Sequence, residues 1–143
     1  AFGVISASND PFSAMAATRL ALLAADRCLI DHAQNRVDQL LPHGGLRTAS
    51  TGLLNAALEA LDGAPGAATA AERALDQFAE VALGMDLAKA NAAFSRLLGH
   101  DTEAGRAAGD RARVWIDSVG APLLLDTLSW HLPPQEQSTA AAS

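Results

Sequence analysis

The chain of 143 residues has a formal net charge of −6; half of its residues are hydrophobic and only 4% are aromatic. That length fits one domain able to bury a real core, and the acidic balance argues against the basic patch of a nucleic-acid-binding surface. Alanine and leucine dominate and tyrosine is absent, a mixture that favours helix over sheet.

Cysteine and hydropathy set further bounds. The single cysteine, Cys28, excludes an intramolecular disulfide and any zinc cluster built on several thiolates, which suits a reducing cytoplasm. No apolar run approaches the 18 or so residues of a membrane span, so no transmembrane segment is expected. The chain begins at Ala1, and an exported mature form stands beside the cytoplasmic reading.

Residues 1–9 hold a short apolar patch, Phe2, Val4 and Ile5, and read as an N-terminal arm. A bundle domain is expected over 10–132, followed by a polar tail over 133–143. Within the bundle, residues 11–41 predict one long helix. Asp10 is a good N-cap and Pro11 fits the first helical position. Phe12, Met15, Leu22, Leu23, Leu29, Ile30, Ala33, Val37, Leu40 and Leu41 recur at helical spacing. Ala21, Ala24, Cys28, His32, Asn35 and Gln39 fall on the opposite side. At about 1.5 Å per residue such a helix would be about 46 Å long and would form the spine of the molecule.

Two residues interrupt its apolar stripe. Arg19 and Asp26 project at nearly the same angle as Phe12 and Ile30, and a buried charge needs a partner. With Leu23 and Ile30 they make a candidate ligand-binding spot between helices.

Pro42 and the Gly44–Gly45 pair stop this helix. A second helix is expected over 46–61, a loop over 62–66, and a third helix over 67–83 that buries Ala71, Leu75, Phe78, Val81 and Ala82. Thr69 and Glu72 have the spacing of a capping box. Gly84 breaks the path before a fourth helix, 86–98, whose inward face is Leu87, Ala90, Phe94, Leu97 and Leu98. Residues 103–118 read as the weakest helix, because Gly105 and Gly109 each cost about 1 kcal/mol against alanine. Val114, Trp115 and Val119 are its expected anchors, and Gly120 ends it. Pro122 opens a last short helix, 122–132. The whole is an all-α antiparallel bundle of five or six helices around the long first one.

Chemical motifs are sparse. His32, His43, His100 and His131 lack the spacing of a helical metal site, and no catalytic elbow, phosphate loop or dinucleotide fingerprint occurs. Glu72, Asp76 and Glu80 form an acidic ridge, read as a solvated face docking on Arg106, Arg111 or Arg113. Cys28 reads as packing. The run from His43 through Leu46, Arg47 and Thr48 resembles the phosphoacceptor box of histidine kinases, with an extra residue after the histidine and two helix-breaking glycines. Residues 91–101 resemble the opening helices of a PAS sensor domain, without a sheet to follow.

The sequence therefore points to a non-enzymatic helical protein with no cofactor, working by helix–helix association with itself or a protein partner. Phe2, Ile5 and Trp130 are candidate contact residues. Two alternatives stand beside it: a small-molecule sensor or carrier with an apolar interhelical pocket, and a signalling bundle using His43.

Overall fold

The computed structural model describes residues 11–82 and 84–120. These form six α-helices: α1 (Pro11–Ala24), α2 (Arg27–Leu40), α3 (Gly45–Leu61), α4 (Ala67–Ala79), α5 (Gly84–Leu98) and α6 (Glu103–Val119). Among the described residues no helix is long and apolar enough to cross a membrane. The expected N-terminal arm, final helix and polar tail lie outside the described residues.

The long first helix is two helices. Ala25 takes a left-handed conformation, φ 53°, and Asp26, in extended conformation, becomes the N-cap of α2. Its carboxylate accepts from the Leu29 N–H at 3.0 Å. No glycine or proline marks this break. A left-handed alanine costs about 1–2 kcal/mol, and the return is that α1 and α2 pack against each other. Ala14, Ala17, Ala21 and Leu22 of α1 and Ile30, Ala33 and Val37 of α2 all enter one core. Ala21, expected on the outer face, is thus fully buried. A continuous helix would have left much of that surface wet.

The later helices follow their expected order with shifted ends. α3 matches closely, and its Ala49, Leu53, Leu54 and Ala57 are buried. α4 stops at Ala79, so Val81 lies beyond the helix and is exposed. It begins at Ala67 with Gly66 as N-cap and no side-chain cap bond, which leaves Thr69 inside the helix; the Thr69–Glu72 pair does not cap it. Gly84 opens α5. Thr102 caps α6, its hydroxyl accepting from the Gly105 N–H at 3.0 Å. Gly120, φ 65°, closes α6 in the left-handed conformation that favours glycine.

The helix at the centre is α5. It packs against α1, α3, α4 and α6, and residues 90–95 are buried without interruption. A helix buried all round needs apolar or small side chains on every face, and Ala90, Asn91, Ala92, Ala93, Phe94 and Ser95 supply them. Phe94, fully buried, is the largest side chain of this stretch.

α6 meets α5 through small residues. Gly105, Ala108, Gly109, Ala112 and Ile116 are its buried positions, at spacings that form one stripe. The two glycines that weaken the helix in isolation are therefore contact surface. A Cβ on Gly105 would collide with the Gly99 carbonyl and lie 2.9 Å from the Thr102 hydroxyl. The expected anchors are displaced by this register: Val114 is 69% exposed, Val119 is 50% exposed, and Trp115 is half-buried.

Two substitutions test the break between α1 and α2. Ala25→Gly removes the Cβ penalty and raises stability to urea by up to about 1 kcal/mol. Asp26→Ala removes the cap and lowers it by about 1 kcal/mol. If both are neutral, residues 11–41 do not turn at Ala25.

Candidate functional site

Arg19 finds its partner across the core. Its Nη1 donates to Asp86 Oδ1 of α5 at 2.9 Å, with both side chains about one-third exposed. Beneath this pair lies a void bounded by Met15, Thr18, Leu22, Leu53, Phe78 and Ala90, with about 20 Å³ open to the centre of a water molecule. One water occupies roughly 10–15 Å³ on that measure, whereas ligand pockets run to hundreds of cubic ångströms. The void accommodates about one water.

The other residues of that sequence-derived spot go elsewhere. Asp26 is exposed and engaged as the α2 cap. Ile30 is fully buried in the main core. Leu23 is half-buried and packs against both the main core and the smaller Ala92–Ala112–Ile116 cluster. Of the four, only Arg19 lines the void. Phe2, Ile5 and Trp130 lie outside the described residues.

A groove of about 440 Å³ lies between α5 and α6, beside a more polar concavity of about 510 Å³ lined by Asp101, Glu103, Arg106, Ala107 and Asp110. Gly84, Leu87, Ala88 and Asn91 form one wall; Asp110, Arg111, Val114, Trp115 and Ser118 form the other. Each helix presents residues three and four apart, so a stripe of each faces the groove. Trp115 lies across Gly84 so closely that a Cβ there would overlap the indole. Asn91 is almost fully buried and satisfied at both ends of its amide. Its Nδ2 donates to the Leu87 carbonyl at 3.1 Å and its Oδ1 accepts from Arg111 Nε at 3.0 Å. This bond fixes α6 on α5 and places Arg111, beside Asp110 and Ser118, on the rim of a mainly apolar trough. Met85, 49% exposed, follows Gly84 in sequence and adds exposed apolar surface at the start of α5.

The sequence pointed to Trp115 and Val114 as anchors facing inward, and missed that their register leaves a trough. The available signal was the Gly105–Gly109 spacing, which sets the contact stripe of α6 one step away from Val114.

The remaining chemical candidates stand apart. His43 is exposed ahead of α3, outside the helix; His32 on α2 and His100 between α5 and α6 are half-buried. His131 lies outside the described residues. Cys28, expected to pack, is exposed in the first turn of α2. Glu72, Asp76 and Glu80 are all exposed, while Arg106 donates to the Asp101 carbonyl and Arg111 to Asn91, away from that ridge. Among the described residues no group of three His, Cys, Asp or Glu side chains is placed to hold a metal ion. No protein-family model, curated protein or solved structure matches the chain.

Gly84→Ala probes the groove wall. Its methyl must displace the Trp115 indole. In a Trp130→Phe background, where Trp115 is the sole indole, the expected result is a red-shifted emission spectrum. An unchanged spectrum would mean that Trp115 does not cover Gly84.

Proposed function

We propose that this chain is a non-enzymatic association module whose α5–α6 groove receives an amphipathic helix, from a second copy or from another protein. The observation that supports this reading is the trough itself: Leu87, Ala88, Val114 and Trp115 give it a mainly apolar surface rimmed by Asp110, Arg111 and Ser118, and Val114 stands 69% exposed at its edge. Grooves of this kind take the apolar face of a helix at i, i+3, i+4 and i+7 positions. Tryptophan and arginine are enriched among the residues that carry such interfaces, and Trp115 and Arg111 both line this one.

In self-association, the α5–α6 groove of one copy faces that of the other, with the exposed Val114 edge of each α6 seated in its partner's groove, as a two-fold interface requires. Leu23, half-buried and shared by two clusters, is a poor probe, because a charge there damages the core. Val114→Asp places the charge at the groove without touching buried contacts. Analytical ultracentrifugation of the full chain should show dimer growing with concentration, and Val114→Asp should weaken it at least about tenfold, or roughly 1.4 kcal/mol, with helicity unchanged. A wild-type chain that stays monomeric up to about 100 μM contradicts self-association.

A further inference from the structure

We propose that the α5–α6 groove is also a small-molecule site, which takes a medium-chain carboxylate with its head on Arg111. The inference goes beyond helix docking and does not depend on it, because a small acid binds whether or not the chain associates.

The first support is a cation held in place. Arginine carries five N–H donors, and the Nε–H of Arg111 is taken by Asn91 Oδ1 at 3.0 Å. Asn91 is only 3% exposed and is itself anchored to the Leu87 carbonyl. The guanidinium is thereby tied to the α5 wall, and its two Nη groups have no partner among the described residues. Such a fork matches the two oxygens of a carboxylate. Fixing it beforehand lowers the ordering cost of binding.

The second is layout. α5 and α6 run antiparallel along the groove, since Asn91 meets Arg111 while Gly84 meets Trp115. The polar contact therefore stands at one end, and Leu87, Ala88, Val114 and Trp115 line the remainder. The Ser118 hydroxyl is already engaged, donating to the Trp115 carbonyl at 2.7 Å. From Asn91 to Gly84 the α5 wall is about 10 Å long. One anionic head at the rim and a short apolar tail in the trough fit that arrangement. The volume of about 440 Å³ lies within the usual range of ligand pockets, about 300–1,000 Å³.

The third is charge. Arg111 is the one cation among the described groove-lining residues, and Asp110 stands beside it on the rim. A phosphate ester carries about −1.5 to −2 at neutral pH, so Asp110 opposes it more strongly than a singly charged carboxylate.

Fluorescence titration of the full chain tests this. In a Trp130→Phe background Trp115 is the sole indole and reports on the groove. Octanoate and octanol share an alkyl chain and differ at the head. Octanoate should shift the Trp115 emission to the blue and saturate below about 1 mM, at least about tenfold tighter than octanol. Arg111→Gln, at an exposed position, should keep its helicity and bind the two probes alike.

Equal binding of octanoate and octanol to the Trp130→Phe chain overturns carboxylate recognition, as does a preference that survives Arg111→Gln. Octyl phosphate binding more tightly than octanoate overturns the choice of a singly charged head. No saturable change with octanoate overturns the site and leaves helix docking standing, since that is read by ultracentrifugation of Val114→Asp. A monomeric wild type with the tenfold octanoate preference removes self-association and supports this site.

Discussion

Where a helix is enclosed by its neighbours, as α5 is over residues 90–95, it has no face on which to place large polar groups, and that constraint shapes this molecule. α5 contacts α1, α3, α4 and α6, and residues 90–95 are buried in succession. Neighbouring helix axes lie about 8–10 Å apart, the closer end reached only with small residues between them. Alanines 92 and 93 allow close approach on two sides, while Phe94, one turn beyond Ala90 on the same face, fills space there. Polar groups that enter this environment are managed individually. Asn91 bonds to Leu87 and Arg111, and Thr18 of the neighbouring α1 donates back to the Ala14 carbonyl at 2.9 Å. Ser95 is the exception: its buried hydroxyl has no partner among the described residues.

Ion pairs decorate this arrangement more than they create it. Arg19–Asp86 ties α1 to α5, Arg27–Asp62 ties the start of α2 to the end of α3, and Arg47 approaches Asp38 at 3.6 Å. Arg27 and Asp62 are both more than half exposed, and exposed pairs of this kind contribute about 0–1 kcal/mol. Their value is in register. The Arg96 guanidinium, which donates to the Leu23 carbonyl at 3.3 Å, likewise fastens the end of α5 to the end of α1. Dispersion and apolar burial around α5 supply the bulk of the stabilisation.

Helix content and the order of the helices were legible in the sequence, because apolar spacing, Pro42, the 62–66 loop and Gly120 are strong local signals. The turn at Ala25 was not, since alanine is the best helix former and the apolar stripe continues through it. The trace it left was Asp26 on the wrong face of a continuous helix. That anomaly was visible as a buried charge, and its physical resolution is a cap. Arg19, the companion anomaly, resolved in the ordinary way by pairing. Burial in α6 is hard to read for a related reason: its large side chains suggest anchors, whereas Gly105, Ala108, Gly109 and Ala112 set the contact. A size-based reading of hydrophobic residues puts Val114 inside; close packing of small residues puts it at the edge of a groove. The groove itself depends on two helices sharing a register, which no single stretch of sequence displays.

α5, not the 11–41 stretch, is the organising element of the fold. Native-state hydrogen exchange resolved by residue tests this most directly, because amides at the stable centre open only with global unfolding while joints open locally. The structure predicts slowest exchange across residues 90–95 and a fast-exchanging gap at Asp26–Cys28, separating α1 from α2. Continuous protection through residues 11–41, as slow as that of 90–95 or slower, would contradict it and restore a single long helix as the spine.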